Sequence, residues 1–407
     1  MVLISDVALL MFKDLGISDA IITFWASLLV LPWSLKPLWS PLMEIYGTKK
    51  QYVVLTETLS AIMLGFIFLA LGMDKFFATT VALMAIMAVS GSVHDIAGDG
   101  TYMEYLTDRE QSQYIGWQGA FYNLAKILAR GGLVYLVGTL TESIGVLRAW
   151  QVVMAIAGGI MLAVALYHVR ILPGTLRKAP QTVTNSSEAT SNRWKELWHV
   201  IASFFTKRHI WYYLLFILLY RLTEGLAMKV APLFLKADRA VGGLGMTNQQ
   251  FGLIYGTFGT AAFILGSILA GYYISHRGLR RVIFKLALIF NIPFVVYFLL
   301  ANFLPEGMLL PTIGIIFEYL GYGFGFVGLN LFMMQQVAPG PHRMAHYAIG
   351  TSLMNLSIVL PGMISGWLSD MVGYRLFFAI ALFVAIPGLI CTYFLPFTYA
   401  ENGEKLK

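Results

Sequence analysis

Twelve apolar segments of roughly 17 to 30 residues account for most of this 407-residue chain. Each is close to the length that an α-helix needs to cross the hydrocarbon core of a bilayer. Charged residues make up only 12% of the sequence, whereas a soluble domain carries about 25%. The chain therefore cannot cover a globular surface with polar groups, which excludes a soluble enzyme, a nucleic-acid-binding protein and a secreted disulfide scaffold. It is predicted to be an all-α membrane protein.

The predicted spans define the framework for all later positions. They cover residues 1–17, 19–40, 52–72, 77–106, 113–140, 149–172, 210–235, 249–274, 282–304, 309–338, 345–370 and 374–397. The first span opens directly on apolar sequence and is short, so we expect a first helix truncated at its N-terminus, by a late start codon or by design of the expressed chain. It lacks a basic leading region and a small-residue cleavage site, so no signal peptide is expected.

Lys and Arg residues are distributed unevenly between the two sides of the predicted membrane domain. The connections after even-numbered spans hold 16 of the 28, those after odd-numbered spans hold six, and six lie within spans. The positive-inside rule assigns the richer side to the cytoplasm, so both termini are predicted to be cytoplasmic. The net charge of +7 reflects this topology and does not indicate a nucleic-acid partner.

The two halves of the sequence repeat. Aligning Gly47, after span 2, with Gly278, after span 8, also carries span 4 onto span 10. Two six-helix halves with cytoplasmic signals in register match the major facilitator fold. We therefore expect an N-terminal six-helix bundle (1–172), a cytoplasmic linker (173–209) and a C-terminal six-helix bundle (210–400).

The linker has two predicted parts. Residues 173–192 are polar and contain Pro and Ser, which is typical of a flexible connection. Residues 193–207 place apolar side chains at helical spacing beside basic ones, which predicts an amphipathic helix on the inner membrane surface. A calmodulin-like or other partner-binding helix has the same pattern.

Ionisable residues inside the predicted spans are the strongest functional signal, because each costs about 2.5–3.5 kcal/mol on insertion scales. The predicted proton-coupling carboxylates are Asp95, Asp99, Glu224 and Glu318. The predicted substrate-binding residues are Lys126, Arg130, Arg221, Tyr102, Tyr122, Tyr220 and Trp117. The cations suit a carboxylate or phosphate, and the aromatic rings suit a sugar or an amphiphile.

Two interpretations of the buried charges stay open. In the first, Arg221 pairs with Glu224 and Lys126 pairs with Asp95, so that the charges neutralise each other inside the bundle. In the second, a switchable acid carries a proton while a cation holds an anionic group of the substrate. Both can hold in different conformations: protonation of Asp95 or Asp99 would change its pairing with Lys126 or Arg130, while Arg221 would hold the substrate carboxylate.

The basic loops after spans 2 and 8 predict a gate. An acid at a helix end that faces basic residues can form a latch that breaks as the two halves rock. The second loop has Ser275 where an acid is expected, so the latch is predicted to be one-sided. The alternative is that the loops only set topology. The predicted gating residues are Lys36, Glu44, Lys49, Lys50, Arg277, Arg280 and Arg281.

Three other sequence patterns do not indicate a cofactor-binding or metal-binding site. The glycines at 323, 325 and 328 match a dinucleotide-binding spacing but follow no strand, so they predict close helix packing. His342 and His346 have helical spacing, but no Glu follows His342 and no third ligand is near. A Walker motif is missing, so an ion or substrate gradient must supply the energy. We expect that this chain is not an enzyme. The alternative from a different functional class is a membrane enzyme that acts on lipid-linked glycans.

Two motifs resemble the AmpG-type muropeptide permeases. Residues 36–44 read KPLWSPLME, close to that family's Lys-x-Leu-Trp-Ser-Pro-Leu-Met-Asp, and residues 95–99 read DIAGD, close to its Asp-Ile-x-x-Asp. The resemblance implies proton-driven import of GlcNAc-anhydro-MurNAc, with or without peptide, across the bacterial inner membrane. It also implies proton or substrate roles for Asp95 and Asp99, and it aligns Lys36 with the residue before the Trp-Ser-Pro turn.

Some residues depart from this family. Glu44 replaces Asp, His94 stands where another polar residue is frequent, and a Gly-Leu-Pro element early in the first helix is missing. The chain is also similar to acetyl-coenzyme A transporters and siderophore-type permeases. The alternative substrate is therefore another anionic or amphiphilic solute: acyl-coenzyme A, a siderophore, a peptide or a drug. We expect a monomer with a central cavity lined by spans 1, 4, 7 and 10, whose partners are the solute, protons and lipid.

Overall fold

The computed structural model describes residues 2–36, 43, 48–105, 121–173, 198–340 and 342–399, with backbone alone for 102–105 and 343–345. Every secondary-structure element in these ranges is a helix. The N-terminal half contains α1 (residues 3–14), α2 (Asp19–Ser34), α3 (Lys49–Ala70), α4 (Phe76–Tyr105), α5 (Phe121–Ile144) and α6 (Val146–Ile171). The C-terminal half contains α7 (residues 210–236), α8 (Asn248–Arg277), α9 (Leu279–Phe303), α10 (Leu309–Val337), α11 (residues 343–372) and α12 (residues 374–393).

Helices occupy all twelve predicted spans within the described ranges. Eight continuous helical stretches there are long and apolar enough to cross a membrane, and the last, His346–Tyr393, contains both α11 and α12. It turns at Gly373, whose φ of 73° is in the left-handed region that favours glycine. α1 and α2 are shorter, and α7 is interrupted at Arg221. The all-α prediction is confirmed.

Local sequence explains where two helices, α3 and α8, begin. At the start of α3, the Thr48 hydroxyl accepts from the Gln51 backbone N–H, and the Gln51 side chain accepts from the Thr48 N–H. Thr247 and Gln250 form the same capping box at the start of α8. Each box satisfies backbone donors that a helix N-terminus would otherwise leave unpaired. The same local pattern, Thr followed three residues later by Gln, therefore starts one helix in each half.

The two halves touch through α2 with α11 and through α5 with α8. A Cβ atom at Gly366 of α11 would lie 2.2 Å from the Thr23 hydroxyl of α2, and one at Gly256 of α8 would lie 2.6 Å from the Arg130 carbonyl of α5. Only glycine permits such close approach of two helices. α5 and α8 are π-helical where they meet, over Ile127–Leu133 and Gly252–Gly259.

These contacts lie toward one end of the molecule, where α1, α5, α7 and α11 finish, which we call the outer end. The apolar core there is continuous between the halves and includes the buried Phe12, Trp150, Phe234 and Phe378. A second apolar cluster belongs to the linker helix and the C-terminal half alone. The halves are thus joined by a shared core at the outer end.

Part of the predicted linker is described. Residues 198–205 form a helix, whereas 174–197 lie outside the described residues. Phe204 is fully buried and its ring lies 5.6 Å from that of His346. The ammonium of Lys207 donates to the carbonyl of Val337, the last residue of α10, at 2.6 Å and to that of Pro339 at 2.8 Å. This helix therefore packs against the C-terminal half through Phe204 and Lys207.

Candidate functional site between the two halves

A cavity of about 450 Å³ lies between the halves. Its walls come from α1, α2, α4, α5, α7, α8, α10 and α11. The predicted walls, spans 1, 4, 7 and 10, supply four of these eight helices. Cavities of this size hold small organic ligands.

The cavity wall is charged and has more cations than carboxylates. Its eight charged residues are Lys36, Lys126, Arg130, Arg221 and Lys229, with Asp6, Asp95 and Glu224. Five cations against three carboxylates leave an excess of two positive charges when all are ionised. Such a surface attracts an anion.

Three ion pairs account for all the carboxylates in this wall. Arg130 of α5 donates through Nε to Asp6 of α1 at 2.7 Å, and its Nη2 bonds the same carboxylate oxygen. Arg221 donates to both carboxylate oxygens of Glu224, at 2.5 Å each, within α7. The third pair joins Asp95 to Lys36 at 3.0 Å. The predicted Arg221–Glu224 pair is therefore confirmed.

The predicted Lys126–Asp95 pair is wrong, because α4 packs against α2 at this point. Trp33 of α2 lies against Gly91, where a Cβ would be 2.7 Å from the indole ring. This approach lets Asp95 accept from the Trp33 indole N–H at 2.9 Å and from Lys36. The Asp95 side chain is still 45% exposed, so the cavity can reach it.

Lys126 and Lys229 have no carboxylate partner among the residues that the structure describes. The Lys126 ammonium lies 4.4 Å from the ring centre of Tyr122 and 5.6 Å from that of Phe263 on α8, which are cation–π distances. Lys229 of α7 is 8% exposed. Each half thus contributes one cation without an ion pair among the described residues, although the charge of Asp6, which Arg130 already pairs, acts on both.

Other predicted site residues lie away from the cavity wall. Glu318 is buried and accepts from the hydroxyl of Tyr297 on α9 at 3.1 Å. Tyr220 is buried, donates to the Gly325 carbonyl at 3.0 Å and packs inside the C-terminal half. Asp99 is exposed on α4. Tyr122 does line the cavity, whereas the Tyr102 side chain and Trp117 lie outside the described residues.

The predicted gating residues divide into three groups. Lys36 lines the cavity, and Glu44 lies outside the described residues. Lys49 and Lys50 donate within the N-terminal half, to the carbonyl of Gly100 at 3.0 Å and that of Leu172 at 2.7 Å. The remaining three, Arg277, Arg280 and Arg281, are exposed.

An ionic network between the halves lies at the outer end, and it was not predicted from the sequence. Asp14, which ends α1, bonds Lys236, which ends α7, and accepts from Asn248 of α8 at 2.8 Å and from the Trp150 indole at 3.0 Å. The Lys236 and Asp14 side chains are only 7% and 12% exposed. The sequence signal was a charged residue at the end of each of two equivalent spans.

A second contact stands beside this network. Asp19 at the start of α2 accepts from Lys13 and from the hydroxyl of Tyr374 on α12, both at 2.5 Å. Asp370 of α11 accepts from the backbone N–H of Ala20 at 3.2 Å. We call these two sets of contacts the outer gate. With the glycine contacts, they close the cavity at the outer end.

A cavity between two helical halves, closed at one end, is the geometry of alternating access. The sequence profile of the Major Facilitator Superfamily matches residues 1–339. The chain belongs to this superfamily. It is a multi-pass membrane transporter, and the transported solute is a small molecule.

Several curated relatives are similar over most of the chain. An anhydromuropeptide permease of Escherichia coli strain K12 is 23% identical over 364 residues, which cover 87% of this chain and 68% of that protein. A transporter of Rickettsia felis named AmpG 2 is 23% identical, covering 89% and 84%. An uncharacterized protein of Haemophilus influenzae is also 23% identical, covering 92% and 86%. The resemblance to AmpG-type permeases is confirmed at this level of identity.

Solved major facilitator structures share the fold. A D-xylose–proton symporter superposes with a TM-score of 0.72 at 12% identity, covering 100% of this chain and 95% of the other. A bacterial homologue of the lysosomal transporter Spinster gives 0.68 at 14% identity, covering 96% and 92%. The predicted twelve-helix major facilitator fold is confirmed.

Proposed function

We propose that this transporter imports anhydro-muropeptides or muramic-acid-containing sugars across the bacterial inner membrane, coupled to protons. The observation that carries the proposal is the pair of cations, Lys126 and Lys229, that line the cavity without a carboxylate partner among the described residues. Muramic acid carries a lactyl carboxylate, which would satisfy them. The relative named anhydromuropeptide permease supports the same substrate class.

The substrate carboxylate is assigned to Lys126 and Lys229 in preference to Arg221. Glu224 accepts from two nitrogens of the Arg221 guanidinium, so a second carboxylate would compete with an existing pair. Lys126 and Lys229 come from different halves, and an anion held by both would attract the halves toward each other around the substrate. Tyr122, which is 52% exposed, offers an aromatic face to the sugar ring.

Proton coupling is assigned first to Asp95. Its carboxylate lines the cavity, is partly exposed and has Lys36 as its cationic partner. Protonation would remove the negative charge and release Lys36, which changes both the charge of the cavity and the contact between α2 and α4. Glu224 and Asp6 are the other cavity carboxylates, while Asp99 and Glu318 would act through the helices that carry them.

The orientation follows from the charge distribution. We infer that both termini and the linker (173–209) face the cytoplasm, so the outer gate closes the cavity toward the periplasm. The two bundles, 1–172 and 210–400, would rock about the cavity as a monomer in the lipid bilayer. The basic loops at the inner end would then form the opposite gate.

Uptake into proteoliposomes tests the proposal. The purified chain should accumulate labelled GlcNAc-anhydro-MurNAc when the outside is made acidic, and a protonophore should abolish accumulation. The neutral disaccharide di-N-acetylchitobiose, which lacks the carboxylate, is the matched control and should not accumulate. Accumulation of an acyl-coenzyme A, siderophore, peptide or drug instead of the muramic sugar would replace this substrate class by the alternative.

A further inference from the structure

A buried carboxylate with two histidines lies outside the cavity wall, between α3, α4 and α6. Glu57 of α3 is 3% exposed. Its two oxygens lie 2.8 and 2.9 Å from Nδ1 of His168 on α6, and one oxygen lies 3.9 Å from Nε2 of His94 on α4. Within the described ranges, Glu57 has no Lys or Arg partner, and no group of His, Cys, Asp and Glu side chains could hold a metal ion.

The hydrogen bonds fix where protons already lie in this cluster. The Thr56 hydroxyl has one hydrogen and lies within hydrogen-bond distance of the backbone carbonyls of Tyr52, at 2.7 Å, and Val53, at 3.0 Å. When it donates to either carbonyl, it accepts from Nδ1 of His94, at 3.1 Å. That leaves Nε2 of His94, the nitrogen that faces Glu57, as the place for a further proton. His168 must donate through Nδ1, because an ionised carboxylate only accepts.

The cluster therefore has a place for an extra proton. A buried carboxylate without a cationic partner is costly, and protonation of either imidazole ring would supply the missing positive charge. The titratable groups with contacts here are Glu57 from α3, His94 from α4 and His168 from α6, whose ring lies 5.7 Å from that of Tyr167. Histidine is the side chain whose charge changes near physiological pH.

α4 connects this cluster to the cavity. His94 is followed by Asp95, so one helix carries a cluster member on one face and a cavity carboxylate on another. A hydrogen bond between protonated His94 and Glu57 would have to close the present 3.9 Å gap to about 2.8 Å. The resulting shift of α4 would reach Trp33, which packs on Gly91 and donates to Asp95.

We propose that Glu57, His94 and His168 form a second proton-binding site, whose occupancy sets the position of α4 and the pairing of Asp95 with Lys36. The proton-binding part stands on the geometry of the cluster. The link to transport rests on the proposed proton-coupled function.

Histidine NMR tests the proton-binding part without any transport. The chain has seven histidines, and their ring signals in lipid nanodiscs can be assigned with His94→Gln and His168→Gln. Glu57→Gln should change the titration midpoints of His94 and His168, because both rings lose an adjacent opposite charge. Exposed His276 is the control and should not move. Unchanged midpoints for His94 and His168 would overturn the site.

A second variant keeps the test valid if Glu57→Gln does not fold. In His94→Gln, His168 no longer shares the carboxylate, so its midpoint should change; no movement would contradict a shared site. The transport link is tested by the pH profile of uptake, which His94→Gln should shift relative to the native chain. An unshifted profile overturns the link. If the native chain shows no proton-driven uptake, the proposed function fails while the NMR titration still decides the site.

Discussion

Lys236→Met should open the outer gate, because Lys236 and Asp14 belong to different halves and meet only when the outer ends are together. Both side chains are nearly buried, and removing one partner of a buried ion pair costs about 3–5 kcal/mol. Asp14 would keep the N–H donors of Asn248 and Trp150, so we use the lower end of this range. A loss of about 3 kcal/mol from one conformation lowers its population relative to the other by roughly a hundredfold.

Distances between spin labels measure this shift. Ser143 at the end of α5 and Val241 after α7 are exposed at the outer end, and the single cysteine, Cys391, can be replaced by Ala. Labels at Ser143 and Val241 should give a short distance in the native chain and a longer one in Lys236→Met. Labels at Arg170 and Ser275, which are exposed at the inner end, should lie closer together in Lys236→Met than in the native chain.

Lys75→Met provides the matched control, because Lys75 is exposed in the connection between α3 and α4 at the same end. This variant should keep the native distance distribution. If Lys236→Met also keeps it, the ionic network does not hold the outer end closed and the reasoning is refuted.

Three further changes test the glycine contacts, the cavity cations and the coupling carboxylate. Gly366→Leu should abolish uptake, because a Cβ there would lie 2.2 Å from the Thr23 hydroxyl and the outer end could not close. The control is Gly271→Leu, where a Cβ meets nothing within 4 Å; this variant should transport normally. Lys126→Met should weaken binding of GlcNAc-anhydro-MurNAc about 10- to 100-fold in calorimetry, from a lost charged hydrogen bond of about 1.5–3 kcal/mol, and equal affinity would contradict its role. Asp95→Asn should lose proton-driven accumulation but retain counterflow of preloaded substrate; accumulation at the native level would show that Asp95 does not couple.

The helix positions were predictable because the bilayer fixes a length and a composition for every span. All twelve helices in the described ranges coincide with predicted spans to within a few residues at most ends. The exceptions include α5, which continues to Ile144 although an end at residue 140 was expected. Hydropathy alone does not locate such ends, because local hydrogen bonding, as in the Thr48–Gln51 capping box, also decides where a helix starts.

Pairing inside one helix was predictable, and pairing between helices was not. Arg221 and Glu224 are three residues apart, so helical periodicity places them on one face. Asp6 and Arg130 are 124 residues apart, and Asp14 and Lys236 are 222 apart, so their meeting depends on which helices are neighbours. The predicted partner of Asp95 was wrong for the same reason: periodicity does not show that α2, rather than α5, supplies the nearest cation.

The structure also changed the interpretation of the cavity cations. From the sequence, Arg221 was the predicted anchor for a substrate carboxylate, because an arginine within a span is costly unless it has a partner. The structure gives it that partner in Glu224 and leaves Lys126 and Lys229 without an ion pair among the described residues. Lys229 was visible in span 7 but had no distinguishing pattern, since what marks it is that no carboxylate among the described residues forms an ion pair with it.

A structure of the chain with GlcNAc-anhydro-MurNAc bound tests the central claim most directly. The account predicts the muramic carboxylate in the cavity, within about 4 Å of the ammonium groups of both Lys126 and Lys229, with a sugar ring against Tyr122. A bound muramic sugar whose carboxylate contacts Arg221 alone, or lies away from both lysines, would contradict it.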